Sequence, residues 1–185
     1  MSVRASLRRL PLAAARPAIP RRSFHATPRA FVKVGQEIPD LEVLVEGSPG
    51  NKVNLADEFR SGDGYIVGVP GAFSGTCSAQ HVPSYINHPK LKDAGKVFVV
   101  SVNDAFVMKA WGEQLDPAQD TQIRFLGDPA ADFTKALDLH WDATAPFGNI
   151  RGKRYALKIV DGKVKEAHVE PDNAGFNVSD ANKVL

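Results

Sequence analysis

The stretch that most constrains this chain is Val69-Pro70-Gly71-Ala72-Phe73-Ser74-Gly75-Thr76-Cys77-Ser78-Ala79-Gln80-His81-Val82-Pro83-Ser84-Tyr85. It follows Tyr65-Ile66-Val67-Gly68-Val69, a β-branched apolar run that predicts a buried strand. Pro70 and Gly71 stop the strand, and Ser74 and Thr76 supply cap-type hydroxyls. Ala79, Val82 and Ile86 then recur at three-to-four spacing, which predicts a helix with one apolar face, ending near Asn87-His88-Pro89 and kinked by Pro83. The single cysteine, Cys77, falls in the first turn of that helix. Unpaired backbone N–H groups and the positive end of the helix dipole favour an anion there, so the seat favours thiolate over thiol. The competing reading is a small buried hydrophobe, the usual state of a lone cysteine.

The same residue removes several classes of protein. One cysteine forms no intrachain disulfide, which excludes a disulfide-stapled secreted scaffold. A dithiol oxidoreductase needs a second sulfur where Gln80 stands. No histidine base with an orienting partner forms a recognisable hydrolase pattern with Cys77. His25, His81, His88, His140 and His168 lack metal-ligand spacing with it, and there is no glycine-rich phosphate loop. No apolar run is long enough to cross a bilayer.

The formal net charge of +2 hides an asymmetry. Residues 1 to 30 carry seven arginines (Arg4, Arg8, Arg9, Arg16, Arg21, Arg22, Arg29) and no acid. Subtracting these from the 23 basic residues leaves 16 against 21 acidic ones, a net of −5 for the remainder. A mildly acidic domain argues against a nucleic-acid surface. The arginine-rich, acid-poor leader reads as a mitochondrial transit peptide, with a basic nucleic-acid-binding arm as its rival. Arg22-Ser23-Phe24-His25-Ala26-Thr27 resembles a two-step matrix-processing site, which places residues 1–31 outside the fold and residues 32–185 in one domain.

Along that domain, Leu41 to Val45 and Lys52 to Leu55 predict a hairpin around Gly47-Ser48-Pro49-Gly50-Asn51, followed by one helical turn at Asp57 to Arg60. Val97 to Val102 reads as a central strand buried on both faces. Asn103 or Asp104 caps a helix whose apolar side includes Phe106, Val107, Ala110, Trp111 and Leu115. Ile123 to Leu126 predicts a strand and Ala131 to Leu137 a short helix. Arg154 to Val160, the Asp161-Gly162 turn and Lys163 to Val169 predict a hairpin, and Ser179 an N-cap for a closing helix. Strands alternating with helices and finished by an antiparallel hairpin predict an α/β architecture with a mixed sheet.

The pattern Pro70-x-x-x-Ser74-x-x-Cys77 resembles the peroxidatic-cysteine motif of the peroxiredoxins, and the string around it is similar to the type II (peroxiredoxin-5) subfamily. Further similarities follow in order at Ser101-Val102-Asn103-Asp104 and on to Trp111, at Arg124-Phe125-Leu126-Gly127-Asp128, and at Arg154-Tyr155-Ala156-Leu157, so that the resemblance spans nearly everything from Phe31 to Leu185. It implies a thioredoxin-like fold, a mixed central sheet flanked by helices, with peroxiredoxin additions. It also implies a thiol peroxidase that reduces hydrogen peroxide and small organic hydroperoxides through a cysteine sulfenic acid.

Carried over by position, Cys77 is the peroxidatic nucleophile, Ser74 the hydroxyl that meets peroxide where most relatives have threonine, Pro70 the shield of the thiolate, and Arg154 the guanidinium that holds thiolate and substrate. Phe73, Thr76, His81 and Phe147 are the implied pocket residues. Each has a plainer reading: Ser74 as a helix cap, the aromatics as core, His81 as packing, and Arg154 as a solvated strand-edge charge like Arg151 and Lys153. Where many relatives carry a resolving cysteine, this chain has Val99 and Asn177. The implied enzyme is therefore of the one-cysteine type, restored by an external thiol, either glutathione with glutaredoxin or thioredoxin, with no bound cofactor and no metal. A peroxide sensor or thiol relay using the same cysteine is the non-turnover alternative. Phe73 or Phe106 is expected at the surface of a homodimer, and the mitochondrial matrix is the expected location.

Overall fold

The structure is a computed structural model that describes residues 32–185; the leader expected over residues 1–31 lies outside the described residues. Its frame is a seven-stranded mixed sheet in the order β2-β1-β5-β4-β3-β8-β9. The centre is parallel: β3 (Gly64–Val69) pairs with β4 (Lys96–Ser101), and β4 with β5 (Arg124–Gly127). The flanks are antiparallel, with β1 (Leu44–Glu46) and β2 (Ser48–Val53) on one side and β8 (Tyr155–Val160) and β9 (Lys163–Val169) on the other.

The apolar runs of β3 and β4 are explained by burial on both faces. Ile66, Phe98, Val100, Leu126 and Leu157 pack with Phe59, Phe133 and Tyr155 on one side. Val67, Val69, Val97, Val99 and Ala156 pack with Cys77, Val82, Tyr85 and Trp111 on the other. Side chains alternate across a strand, so neighbouring residues serve opposite cores, and the polar residues of β4 stand at its two ends, Lys96 and Ser101.

Several local expectations shift. The first hairpin turns at Gly47, which has a φ of 66°, and Leu55 belongs to α1 (Leu55–Glu58), capped by the Asn54 side chain. The cysteine helix is not regular: residues Cys77–His81 form a π-helical turn, closed by Val82 N–H donating to Cys77 O, before α2 (Val82–Ile86) begins. Pro83 falls in the first turn of α2, at the change of winding, where a missing N–H is tolerated.

Neither expected hydroxyl caps this helix. Thr76 already has helical dihedrals and makes no side-chain cap bond, while Ser74 Oγ donates to Gly71 O at 2.8 Å. Asp104, not Asn103, caps α3 (Ala105–Leu115), accepting from Phe106 N and Val107 N at 2.9 Å each. Ala131 stands at the N-cap of α4 (Asp132–Ala136) without a cap side chain, and the buried Asp128 carboxylate accepts from the first-turn amides of Phe133 and Thr134 instead; Asp180, not Ser179, caps α6 (Ala181–Val184).

A second hairpin has no counterpart in the sequence reading. β6 (His140–Ala143) and β7 (Asn149–Gly152) form a separate two-stranded sheet, joined through the short helix α5 (Thr144–Phe147). Its strands lack alternating β-branched residues, so only the ladder itself reveals them. This hairpin carries Phe147 and Arg151 towards the cysteine loop.

Candidate active site

Two strand ends build the site. β3 runs into Pro70, which is buried, and then through Gly71 to Thr76 into the π turn that starts at Cys77. β8 lies antiparallel to β3 with Gly68 opposite Tyr155, so Arg154, the residue just before β8, emerges beside the end of β3 that leads to the cysteine. Residues 77 positions apart in the chain are thereby brought into contact: Arg154 Nη1 donates to Cys77 Sγ at 3.4 Å. Cys77 is fully enclosed and Arg154 is 2% exposed. Arg154 is thus no solvated strand-edge charge.

The guanidinium is held from its other side by backbone. Arg154 Nε donates to Gly175 O at 2.8 Å and to Ala174 O at 3.2 Å, and Nη2 donates to Ala174 O at 3.2 Å. Among the described residues its side-chain partners are these carbonyls and the sulfur, so its positive charge is opposed by dipoles and remains available to an anion on Cys77.

His81 packs. It is fully buried, donates from Nε2 to Ser179 O at 3.1 Å, and meets Tyr85 and Phe176 edge-on, each with ring centroids 5.7 Å apart. Burial, and after it the Arg154 charge, lower its pKa from 6.5 to about 3, so the ring is neutral. The Nε2 proton follows from its partner, since a carbonyl only accepts.

The remaining expected residues surround the loop without touching the sulfur through a hydrogen bond. Ser74 is half-buried with its hydroxyl turned to Gly71 O, and Thr76 is half-buried directly before Cys77. Phe73 has a φ of 58° and is 52% exposed, so it is no enclosed wall. Phe147 lies against Gly71, where an added Cβ would sit 3.3 Å from its ring, and the Arg151 guanidinium stacks over that ring at 5.1 Å from its centroid.

Four contributing residues escaped the sequence reading. Arg151, expected to be solvated, donates from Nη1 to Val102 O at 2.7 Å and Asn103 Oδ1 at 3.2 Å, and burial lowers its pKa. Lys153, likewise expected in solvent, is 9% exposed. Asn103 Oδ1 also accepts from Ala72 N at 3.1 Å and Ser101 Oγ at 2.7 Å, which ties the cysteine loop to the end of β4. Glu170 is buried, and its Oε1 accepts from Asn177 N, Ser179 N and Ser179 Oγ at 2.7, 2.9 and 2.8 Å. A charged residue flanked by turn formers, Glu170-Pro171-Asp172, was the one signal available for the last of these.

A buried sulfur facing an unneutralised guanidinium is suited to nucleophilic attack, since fixed charge aimed at the reacting atoms needs no reorganisation. Comparison with known proteins narrows the chemistry. The redoxin family profile matches residues 33–185. Peroxisomal membrane associated protein 20 of Schizosaccharomyces pombe is 39% identical over 158 residues, which cover 84% of this chain and 98% of that protein. Mitochondrial peroxiredoxin-2F of Arabidopsis thaliana is 41% identical over 134 residues, covering 71% of this chain and 66% of that protein. The crystal structure of reduced Prx3 from Vibrio vulnificus in complex with hydrogen peroxide superposes with a TM-score of 0.73 at 38% identity, covering 83% of this chain and 97% of that one. With Cys77 as its one cysteine, this chain belongs to the redoxin family and, within it, to the type II peroxiredoxins, thiol-dependent peroxidases of the one-cysteine form.

Proposed function

We propose that Cys77 reduces hydrogen peroxide and small organic hydroperoxides and is restored by an external thiol. The observation that carries this is the 3.4 Å contact from Arg154 Nη1 to Cys77 Sγ in a fully enclosed setting. The thiolate attacks one peroxide oxygen; the O–O bond breaks, the departing oxygen takes a proton and leaves as water or an alcohol, and the sulfur becomes a sulfenic acid. Arg154 holds the thiolate and receives the oxygens, and Pro70 keeps solvent from the sulfur. The Ser74 hydroxyl turns from Gly71 O to the substrate. Phe73, Thr76, His81 and Phe147 shape the approach, His81 through packing alone. Complete enclosure of Cys77 favours small hydroperoxides over bulky ones.

With no second cysteine, the sulfenic acid condenses with an outside thiol, releasing water, and a further thiol cleaves the mixed disulfide. Glutathione with glutaredoxin, or thioredoxin, supplies these equivalents, and no bound cofactor is required. The arginine-rich, acid-free residues 1 to 30 and the mitochondrial name of the Arabidopsis relative support a location in the mitochondrial matrix over the peroxisomal one that the S. pombe relative's name carries. Phe73 and Phe106, 52% and 63% exposed, support pairing as a homodimer.

The test is a reductant panel. Peroxide consumption is followed with glutathione, with glutathione and glutaredoxin, and with thioredoxin and its reductase, on the protein and on Cys77→Ser. Steady turnover under at least one system, lost in Cys77→Ser, is expected. One oxidation per chain under every reductant would instead make Cys77 a sensor, and turnover by Cys77→Ser would remove it from the chemistry.

A further inference from the structure

Arg154 reaches the sulfur from a loop, and loops are held in place only by what pins them. The segment from Glu170 to Ser179 supplies every backbone carbonyl that grips the Arg154 side chain, at Ala174 and Gly175, and Arg154 N–H donates to Asn173 O at 2.7 Å. Nothing regular fixes this segment, because β9 ends at Val169 and α6 starts at Ala181. Its two ends meet at one carboxylate. Glu170 is 1% exposed, its own N–H donates to Arg154 O at 3.0 Å, and its Oε1 receives three hydrogen bonds from Asn177 and Ser179. Ser179, also fully buried, passes the constraint onward: its carbonyl accepts from Tyr85 Oη at 2.7 Å and His81 Nε2 at 3.1 Å, both in the helical run that begins at Cys77.

We propose that Glu170 is a positioning residue for the peroxidase reaction: by closing the 170–179 loop onto Ser179 it fixes the carbonyl cradle that aims Arg154 at Cys77. The constraint forms a ring, from Cys77 through Arg154, the Ala174 and Gly175 carbonyls, Glu170 and Ser179, to His81 and Tyr85 and back along their helical run to Cys77. Burying a carboxylate is costly, and three donors converging on one oxygen offset that cost only while the loop stays closed. The guanidinium therefore inherits its position from a side chain that touches neither substrate nor sulfur. This inference rests on the proposed role of Cys77 and Arg154 in peroxide reduction.

The experiment is a double-mutant cycle on the full chain, Glu170→Ala crossed with Arg154→Met, read as the single-turnover rate of Cys77 oxidation by hydrogen peroxide through tryptophan fluorescence. Trp111 shares a buried cluster with Cys77, and its Nε1 donates to the Oγ of the adjoining residue Ser78 at 3.0 Å, so it reports the change. Misplacing the guanidinium by about 1 Å should slow oxidation about a hundredfold in Glu170→Ala, with Glu170→Gln, which keeps an acceptor oxygen, recovering most of the rate. In the Arg154→Met background, Glu170→Ala should add less than about twofold, because its effect passes through the missing guanidinium. Equal slowing in both backgrounds, or an unslowed Glu170→Ala, overturns the proposal. If Glu170→Ala does not fold, Ser179→Ala, which removes one of the three bonds, carries the same cycle, with an expected fall of about tenfold when Arg154 is present and none in the Arg154→Met background. Alkylation of Cys77 by iodoacetamide separates the two readings: it should slow in Glu170→Ala whether or not peroxide is the substrate, and wild-type protein inert to peroxide would fail the peroxidase reading alone.

Discussion

Lowering the pH from 7.5 to 5 should cost the fold about 2 kcal/mol through His81 alone. In the unfolded chain the imidazole titrates at its ordinary value of 6.5, whereas in the folded protein burial, and then the facing Arg154 charge, hold it near 3. Between those two values the unfolded state binds a proton that the native state refuses. Stability is therefore complete above 6.5 and is lost as the pH falls from 6.5 towards 3, by up to about 1.4 kcal/mol per pH unit. At pH 5 the window has been entered by 1.5 units, which sets the magnitude. The assay is urea unfolding at pH 7.5 and 5, on the protein and on His81→Gln. Glutamine can donate to Ser179 O as His81 Nε2 does but does not titrate, so carboxylate contributions common to both proteins cancel. The variant should lose about 2 kcal/mol less than the wild type over this interval. Identical losses would mean that His81 protonates freely in the native state, which would refute its enclosure between Tyr85, Phe176 and Arg154.

Gly68→Ala should destabilise by about 3 kcal/mol, because a Cβ at that point in β3 would lie 2.0 Å from the Tyr155 ring, which has no free space to yield. The urea midpoint reads this, and a loss under about 0.5 kcal/mol would show that the ring relocates readily. Asp128→Ala should cost about 3 kcal/mol, since the buried carboxylate accepts from Phe133 N at 3.3 Å, Thr134 N at 2.8 Å and Thr134 Oγ1 at 2.7 Å. Thermal unfolding tests it, and a melt unchanged from wild type would remove the Asp128 carboxylate as a support of the first turn of α4.

The central strands were legible because β3 is apolar and β4 carries the apolar run Val97 to Val100, and the β8–β9 hairpin because Asp161-Gly162 has few other uses; φ is 51° and 70° at these two residues. The β6–β7 hairpin was not legible, since His140-Trp141-Asp142-Ala143 carries no alternation. Asp104 caps α3 as its spacing predicts, but three other cap positions failed for a related reason: the Ser74 and Ser179 hydroxyls are taken by Gly71 O and Glu170, and Thr76 already has helical dihedrals. A sequence names candidate donors, and competition among acceptors brought from elsewhere selects between them.

By itself the sequence determined the candidate nucleophile, since a one-cysteine chain has one place for thiol chemistry, and it determined the strand-loop-helix setting of that residue, because Pro70, Gly71 and the apolar spacing act over a few residues. The resemblance at Arg154-Tyr155-Ala156-Leu157 selected Arg154, and the tertiary structure shows how it comes to face Cys77 while Arg151 grips Val102 O and Asn103, and that Glu170 closes the 170–179 loop. Arginines three residues apart have the same chemistry and nearly the same local pattern. What distinguishes them is the antiparallel register of β8 on β3 and the carbonyls of a distant loop, and both are set by pairing across the sheet, over separations that no short window of sequence spans.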